Sequence, residues 1–427
     1  MDQPLNPVVA GLRSSAIRDL LALTRSPGVL SLAGGLPAAE LFPAHRIAEI
    51  IERLLRTDPA SALQYGPTEG EPRLREWIAR YEGARAGRAA DPARVLVTAG
   101  SQQALDLLAR ALCSPGDVVV VERPAYLGAL QALSAAGAVL EPVPVDADGL
   151  DVDDLALRLA RGMRPVAVHT VATFQNPTGA VLARGRRERL AGLAERYGFT
   201  VIEDDPYAEI RFDAAPVAPI RSFGDPERVA TLGSFSKTVA PGLRVGWVVL
   251  PRRLVGPVTR LKQAADLQSA SLGQAVVADL VADEAWWARH LDALRSTYAA
   301  RAGALATALG QVFGERLRLT APRGGMFLWG RFTDGTPAAP LLAAALRRGV
   351  AFVPGEEFCV GDPDRHALRL SFATLAPAEL ADAARRLGRA HRDVVDAPAA
   401  PPGPVAAQVT APVGPPGQLT GSRSASS

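Results

Sequence analysis

Cysteine and histidine are scarce in this sequence. Only two cysteines, Cys113 and Cys359, occur among the 427 residues, and the five histidines are scattered along the chain. Two cysteines cannot build a disulfide framework, and their scarcity fits the reducing environment of the cytoplasm. Because no two histidines lie at the close spacing of metal ligands, we expect them to have structural roles. These shortages argue against a disulfide-rich secreted domain and against a metal site.

Long apolar runs and dense basic stripes are missing too. No apolar stretch is long enough to span a membrane, and the first residues lack the basic-then-apolar pattern of a secretory signal. The net charge of +3 is only mildly basic, and lysine and arginine do not cluster with interleaved aromatic residues. Nucleic-acid binding is therefore a poor first hypothesis. The composition, 48% hydrophobic and 21% charged, allows one large core and a smaller one.

Short apolar segments alternate with helical patterns through the middle of the chain. Helical patterns such as SQQALDLLARAL and RGRRERLAGLAERYG separate several of these segments. The segments that we predict to be strands are RVLVTAG, DVVVVERP, PVAVHTVATF, FTVIEDDPY, RVATLGSFS and RVGWVVL. Such alternation predicts an α/β fold, in which a mostly parallel central sheet is flanked by helices on both faces.

The two ends of the chain differ from this middle part. Past about Asp283 a long helical pattern, EAWWARHLDALRSTYAARAGALATAL, precedes a few strand-like segments, which indicates a smaller α+β domain. The last residues are rich in proline, alanine, glycine and serine, which is typical of a disordered tail. We predict an N-terminal segment 1–44 packed with the small domain, a large domain 45–285, a small C-terminal domain 286–395 and a disordered tail 396–427.

Several polar residues fall at the carboxyl ends of the predicted strands. In a parallel sheet covered by helices, ligands bind at that edge. Packing in a core does not by itself select polar side chains at strand ends, so we interpret their clustering as functional. These residues are Ser101, Gln102, Asn176, Asp204, Tyr207 and Lys237.

Lys237 lies between small hydroxylated residues in GSFSKTVAPGLRVGW. One reading is an ordinary loop lysine at the surface. The Ser-x-x-Lys pattern of acyl-serine enzymes lacks its partner elements here, and no Walker A sequence is present. The remaining chemical role is a Schiff-base lysine that holds pyridoxal phosphate. That role also requires a phosphate site, an acid for the pyridine nitrogen and donors for the ring oxygen.

A phosphate site is available where a predicted strand becomes a helix, in TAGSQQAL. Free backbone N–H groups and the helix dipole favour an anion there, although Ser101 could simply cap the helix. Arg244 suits a phosphate because its guanidinium offers paired donors, although it could equally form a surface ion pair. The residues that we predict for this site are Gly100, Ser101, Gln102, Ser234, Ser236 and Arg244.

An acid is available at the end of the strand VIEDDPY. A carboxylate beside the pyridine nitrogen keeps it protonated, so that the ring can accept electrons. Strand alternation places Glu203 and Asp205 on one face and Asp204 on the other. Tyr207 and Asn176 could hydrogen-bond to the ring oxygen. The alternatives are a solvated acidic strand end and, for Asn176 in FQNPTG, a plain turn residue.

Eight motifs occur in a characteristic order along residues 12 to 392. They are SLAGGLPAAELFP, LQYGPTEGEPRLREWIA, VTAGSQQALDLL, FQNPTG, VIEDDPY, SFSKTVAPGLRVGW, PRGGMFLW and ALRLSFA. Together they resemble the fold-type I pyridoxal-phosphate aminotransferases of class I/II, in the branch of the 2-aminoadipate, kynurenine and lysine aminotransferases. Single motifs are weak evidence, but the ordered set is specific.

The resemblance implies a role for each residue of the cofactor site. Lys237 would form the Schiff base and then move the substrate proton, and Asp204 would pair with the pyridine nitrogen. Tyr207 and Asn176 would contact the ring oxygen, and Tyr126 would stack on the ring. The phosphate would be bound by Ser101, Gln102, Ser234, Ser236 and Arg244.

The resemblance also implies a substrate site and a homodimer. Arg369 would bind the α-carboxylate, which Asn176 also approaches, and Gly35 would leave room for the substrate. Tyr65 would reach the phosphate of the neighbouring subunit, so that the active sites are shared. Arg18 aligns with a helix residue that meets a side-chain carboxylate in related enzymes, although an exposed helix arginine is an equally good reading.

The reaction implied is ping-pong transfer of an amino group from an amino acid to a 2-oxo acid such as 2-oxoglutarate. A β-lyase, decarboxylase or racemase on the same scaffold is the main alternative, because the motifs indicate the cofactor more firmly than the reaction. Regulators that carry this fold have a DNA-binding domain ahead of it. The resemblance here begins near Gly11, so we expect an enzyme. Acidic, aromatic and branched donors all stay open.

Overall fold

The computed structural model describes residues 6–11, 28–212 and 215–396. The strands are β1 (Leu30–Ser31), β2 (Val95–Thr98), β3 (Val118–Arg123), β4 (Val139–Asp146), β5 (Gly149–Leu150), β6 (Ala167–Thr170), β7 (Thr200–Asp204), β8 (Val229–Ser234), β9 (Gly246–Val249), β10 (Leu317–Leu319), β11 (Phe327–Phe332), β12 (Val350–Ala351), β13 (Val353–Pro354) and β14 (Ala367–Ser371).

The helices alternate with the strands through much of the chain. They are α1 (Pro7–Ala10), α2 (Ala44–Thr57), α3 (Pro59–Leu63), α4 (Pro72–Ala86), α5 (Ser101–Leu112), α6 (Leu127–Ala135), α7 (Val152–Ala160), α8 (Arg184–Tyr197), α9 (Arg252–Asp266), α10 (Ser271–Ala282), α11 (Glu284–Phe313), α12 (Ala338–Arg347) and α13 (Pro377–Val395).

The central sheet has eight strands in the order β2-β9-β8-β7-β6-β3-β4-β5. The strands β8, β7, β6, β3 and β4 are parallel, which confirms the predicted mostly parallel sheet. β9 runs antiparallel to both of its neighbours. All six predicted strands are present, but β4 was not predicted. Its prolines Pro142 and Pro144 argue against a strand, and they are tolerated because β5 pairs with only the last two residues of β4.

Side chains alternate between two packed layers across this sheet. Val119 and Val121 face a cluster that includes α5, α6 and α9, whereas Val120 faces α7 and α8. A third cluster packs α4 and α10 against β2 and β9. Because both faces are covered, polar chemistry is confined to the ends of the strands.

The C-terminal part contains a four-stranded antiparallel sheet in the order β10-β11-β14-β13. It packs with α11, α12 and α13 around its own apolar cluster. The described part of the N-terminal segment joins it, because β1 pairs in parallel with β12. The predicted domain boundaries remain a prediction, and the predicted tail beyond Asp396 lies outside the described residues.

None of the helices in the described ranges combines the length and the apolar character that a membrane crossing requires.

Candidate active site

A cavity of about 460 Å³ lies at the carboxyl ends of the central strands, against the C-terminal part of the chain. Of the residues predicted for the site, the structure brings these to its lining: Gly35, Ser101, Gln102, Tyr126, Asn176, Asp204, Tyr207, Ser234, Ser236, Lys237, Arg244 and Arg369. A larger groove of about 1090 Å³, near Arg123 and Arg365, lies elsewhere and contains none of these residues. The chemistry therefore converges on the smaller cavity.

Lys237 follows β8 in a tight turn, in which the amide of Ser236 donates to Oγ of Ser234 at 3.1 Å. Its Nζ donates to the carbonyl oxygen of Gly35 at 2.9 Å. Burial lowers the pKa of Lys237 to about 8, and the positive charges of Arg369 and Arg244 add to that shift. An amine with this pKa can be neutral near physiological pH, as a nucleophile or a base must be.

Asp204 ends β7 and is 1% exposed. Its Oδ1 has no hydrogen-bond partner among the described residues, and its Oδ2 lies 3.9 Å from Nε2 of His169. A buried carboxylate oxygen without a partner is costly. The site is therefore built for a cationic or N–H group that enters the cavity.

The two carboxylates next to Asp204, Glu203 and Asp205, do not line the cavity, as strand alternation predicts. Glu203 forms a buried ion pair with Arg187 at 3.3 Å, and Asp205 pairs with Arg85. Burial raises the pKa of Glu203 to about 7, although the charge of Arg187 opposes the shift. Of the three carboxylates, Asp204 alone lines the cavity.

The predicted phosphate turn lies between β2 and α5. Gly100, at φ 82°, is the N-cap of α5, and no side chain caps the helix; Ser101 is its first residue. The simple reading of Ser101 as the capping residue is therefore wrong. A Cβ atom at Gly246 on β9 would lie 2.7 Å from the amide nitrogen of Ser101. The first N–H groups of the helix, which lack intrahelical partners, are left for a ligand.

Arg244 closes the same turn. Its backbone is left-handed at φ 54°, and its Nη2 donates to the carbonyl oxygen of Ala99 at 2.7 Å. The other guanidinium nitrogen, Nη1, lies 3.4 Å from the carbonyl oxygen of Pro241. It forms no salt bridge with any described carboxylate, so the surface ion-pair reading is not supported.

Arg369 is buried between two aromatic rings. Its guanidinium carbon lies 4.2 Å from the ring centre of Phe327 and 4.9 Å from that of Phe358. Nη1 donates to Oδ1 of Asn176 at 2.9 Å and Nη2 to the carbonyl oxygen of Ala33 at 2.6 Å, whereas Nε has no partner in the described ranges. Burial lowers the pKa of Arg369 to about 10. A buried cation whose contacts are neutral groups requires an anionic ligand.

Two tyrosines, Tyr126 and Tyr207, line the cavity. Tyr126 precedes α6, and its hydroxyl donates to Oε1 of Gln102 at 3.2 Å. Burial raises the pKa of Tyr126 to about 12 and raises that of Tyr207 further. Both hydroxyls therefore stay protonated and can act as hydrogen-bond donors.

Three predicted residues do not line the cavity. Gly100 lies just behind its wall, in the phosphate turn. Tyr65 is 77% exposed and makes no contact with the cavity of its own chain. Arg18 lies outside the described residues.

Several lining and supporting residues were not predicted. Phe327 lies within the motif PRGGMFLW, but nothing in the sequence indicates that its ring covers Arg369. His169 was assigned only a structural role. The buried carboxylate of Glu122 accepts hydrogen bonds from Thr170 at 2.6 Å and Gln175 at 2.9 Å, and so supports the turn that carries Asn176. Its position at the end of β3 was the available signal.

The chain matches the model of the family "aminotransferase class I and II" over residues 29–387. It is 40% identical over 388 residues to a 2-aminoadipate transaminase of Thermus thermophilus, covering 90% of this chain and 95% of the relative. It is 36% identical over 387 residues to aromatic-amino-acid aminotransferase 1 of Thermococcus litoralis, covering 90% and 93%.

A similar solved structure is the α-aminoadipate aminotransferase of Thermus thermophilus in complex with N-(5′-phosphopyridoxyl)-L-leucine. The TM-score is 0.85 at 37% sequence identity, over 92% of this chain and 98% of the other.

Proposed function

The chain belongs to the class I and II aminotransferases, and we propose that the cavity around Lys237 is its active site. It is a pyridoxal-phosphate-dependent enzyme that moves an amino group between an amino acid and a 2-oxo acid. The observation that carries the assignment of the site is the convergence of Lys237, Asp204 and Arg369 on one cavity.

The residues present fit pyridoxal phosphate at three points. The lysine amine of Lys237 has a lowered pKa, the carboxylate of Asp204 has an unpartnered oxygen, and the turn at Gly100 leaves helix N–H groups unused. When bound, the cofactor supplies an aldehyde and an electron-accepting pyridine ring. We propose that Lys237 holds the aldehyde and that Asp204 lies against the protonated ring nitrogen.

The remaining cofactor contacts follow from the lining. Tyr207 and Asn176 would hydrogen-bond to the ring oxygen, and Tyr126 would lie against the ring. The phosphate is bound by Ser101, Gln102, Ser234, Ser236 and Arg244, together with the backbone beside Gly100. Paired donors of Arg244 suit a phosphate better than a single ammonium would.

Arg369 binds and orients the substrate. We propose that its guanidinium, which lies between the rings of Phe327 and Phe358, binds the α-carboxylate. Asn176, already bonded to Arg369, contacts the same carboxylate. Both interactions would place the Cα–H of the substrate near Lys237, and neither the Arg369 nor the Asn176 side chain needs to move during the reaction.

Lys237 moves the proton. Once substrate displaces its amine, Lys237 would be able to act as a base near neutral pH, because burial and two nearby cations lower its pKa to about 8. Its amine would then take the proton from the substrate Cα and hold it at Nζ until it is returned to the reacting group. The second half-reaction, with a 2-oxo acid, runs the same transfers in reverse.

We propose a donor range of 2-aminoadipate-like, aromatic and branched amino acids, with 2-oxoglutarate as acceptor. The names of the relatives support the first two classes. Apolar lining by Leu36, Leu127 and Phe327 supports uncharged side chains. A carboxylate on the side chain of the donor would be bound by Arg18.

We further propose a cytoplasmic homodimer with shared sites. The scarcity of cysteine supports the compartment. The exposure of Tyr65 and of Leu63 supports a partner surface at this segment. We also propose, from the sequence pattern, that the chain is divided into four parts with boundaries at residues 44, 285 and 395.

The test of this function is a half-reaction. The purified protein is loaded with pyridoxal phosphate, and its visible absorption band is followed as single amino acids are added. A true donor converts the band and releases one equivalent of 2-oxo acid, and the acceptor restores it. Lys237→Ala should lose at least ~10³-fold activity, because a base and a covalent partner are removed together.

Lys237→Arg is the matched control, because it keeps a positive charge but can serve neither as the base nor as the covalent partner. We expect it to be as inactive as Lys237→Ala. Near wild-type turnover in either variant would show that Lys237 is not the catalytic lysine. A loaded protein that no amino acid converts would contradict the proposed donor range.

A further inference from the structure

Lysine is almost absent from this chain. Of its 47 lysines and arginines only two are lysines, which leaves 45 arginines. One lysine is Lys237. The other, Lys262, lies on α9, outside the cavity, and its side chain is 0% exposed. A buried lysine that the mechanism does not use requires an explanation.

The amine of Lys262 has three oxygen acceptors. They are Oδ1 and Oδ2 of Asp266, at 2.9 and 3.1 Å, and Oε1 of Gln103, at 3.0 Å. The three N–H groups of an ammonium can satisfy three acceptors around one point, whereas a planar guanidinium spreads its donors over a fork. This arrangement suits lysine in a chain that otherwise uses arginine.

Gln103 connects this cluster to the phosphate turn. Its Oε1 also accepts from the amide of Ala99 at 2.8 Å, and its Nε2 donates to Oδ2 of Asp266 at 2.7 Å. The carbonyl oxygen of Ala99 is held by Arg244 from the other side. Both polar groups of the residue before Gly100 are therefore held, one by Arg244 and one by the cluster of Lys262, Asp266 and Gln103.

Strain at the end of α9 indicates that the position of Asp266 is fixed by its surroundings. Leu267, the next residue, has φ 64° and ψ −54°, and the amide of Gln268 donates to the carbonyl oxygen of Asp266 at 2.7 Å. This is a γ-turn with positive φ, which is rare and strained for a residue with a side chain. Such strain persists where the surrounding structure requires one geometry.

We propose that Lys262 is a positioning residue for the cofactor phosphate. Through Gln103 and Asp266 it fixes the backbone of Ala99, and hence the direction in which the N–H groups after Gly100 point. Its charge is balanced by Asp266, so it acts through geometry and not as a second phosphate-binding cation. The inference rests on the proposed assignment of that turn to the phosphate.

The test measures phosphate binding and not turnover. Cofactor-free wild type and Lys262→Met are titrated with pyridoxal phosphate and, separately, with inorganic phosphate. Phosphorus NMR of the loaded proteins then reports the phosphate environment. We expect the dissociation constant of pyridoxal phosphate to rise about tenfold or more, the loss that follows from misplaced charge-assisted donors. The phosphorus resonance should shift or broaden.

Lys262→Arg should not rescue binding, because its fork cannot meet all three acceptors. Arg260→Met is the matched control: it removes one positive charge from the exposed side of the same helix and should leave both readouts unchanged. If Lys262→Met does not fold, Asp266→Asn, which keeps the side-chain shape, decides the question by the same measurements.

Wild-type affinity and an unshifted phosphorus resonance in a folded Lys262→Met or Asp266→Asn protein would overturn the inference alone. If wild type itself bound no pyridoxal phosphate, the proposed function would fail and the inference with it. The two failures are therefore distinguishable.

Discussion

At the scale of single residues, the site contains three cationic side chains and only one carboxylate that opposes them. Lys237 has Arg369 and Arg244 as charged neighbours, and only Asp204 opposes them. In the absence of ligand this balance disfavours the protonated lysine. A ligand that brings a carboxylate and a phosphate relieves the excess positive charge, which couples binding to the protonation of Lys237.

The first prediction concerns the stability of the cofactor-free protein. The pKa of Lys237 is about 8 in the fold against an ordinary value of 10.5. Below pH 8 the lysine is charged in both states, so folding carries the full cost of burying the charge. Between these two pKa values the unfolded chain binds more protons, and stability rises with pH by at most about 1.4 kcal/mol per unit.

Lys237→Met provides the comparison, because it keeps the chain length of the side chain without the titrating group. The free energy of unfolding of the variant should exceed that of wild type, and the margin between the two should be largest below pH 8. That margin should shrink as the pH rises towards 10.5. Urea denaturation of both cofactor-free proteins at several pH values measures it, and a margin independent of pH would refute the lowered pKa.

At the scale of elements, the long helix α11 (Glu284–Phe313) connects the C-terminal part to the loops of the site. His290 contacts the carbonyl oxygen of Thr238 at 2.6 Å, just after Lys237. Two turns further on, the hydroxyl of Tyr298 accepts from the amide of Ala38 at 3.0 Å. The segment that Tyr298 holds supplies the carbonyl oxygens of Ala33 and Gly35 to Arg369 and Lys237.

The second prediction tests this connection with Tyr298→Phe. Loss of the hydroxyl leaves the buried amide of Ala38 without an acceptor and loosens the segment before it. We expect the KM for the amino donor to rise about threefold to tenfold, the equivalent of roughly one hydrogen bond, with a smaller change in kcat. Steady-state kinetics with a donor identified by the half-reaction measure both.

Tyr197→Phe is the control for this substitution. Tyr197 lies at the end of α8, where its ring contacts Arg164 and Arg196 and its hydroxyl has no partner in the described part of the chain. Its KM should equal that of wild type. An unchanged KM in Tyr298→Phe as well would show that α11 does not position the substrate segment.

At the scale of the whole molecule, the chain exposes several large apolar side chains. Leu63 is 68% exposed, Tyr65 77% and Leu36 53%. Exposed apolar groups of this size are typical of an interface when they lie together. Self-association through a two-fold axis would bring Tyr65 of each subunit to the site of the other.

The third prediction is complementation between two inactive variants. Tyr65→Ala removes the residue that is proposed to act in the site of the partner subunit. Lys237→Ala removes the lysine that is proposed to act in the site of its own subunit. In a mixed dimer the Tyr65→Ala subunit keeps its own lysine and receives an intact tyrosine, so one of the two sites is complete. Isolated mixed dimers should show up to about half of the wild-type activity.

The mixed dimer is prepared with two affinity tags, and each parent variant is assayed alone. Both parents should be impaired, Lys237→Ala more severely. A mixed dimer no more active than the average of its parents would place Tyr65 at its own site or at none. A monomeric wild type in sedimentation would contradict the shared site directly.

Much of the fold and of the site could be predicted from the sequence because short patterns of neighbouring residues indicate them. Periodic burial and turn residues predicted all six central strands named above, and α5 agrees with the pattern SQQALDLLARAL. Of the eight central strands, β4 and the two-residue β5 were missed. The prolines of β4 mask a strand that pairs on one side over most of its length. Polar residues at strand ends then identified the cavity, because parallel strands deliver their carboxyl ends to one edge.

The sequence by itself determined the alternation of strands with helices and the polar residues at the ends of the strands. The tertiary structure alone decided how they are held. It placed Phe327 and Phe358 on either side of Arg369, joined Arg369 to Ala33 across 336 positions, and set Lys262 behind the phosphate turn. Such contacts depend on how distant elements pack, and no pattern among neighbouring residues encodes them.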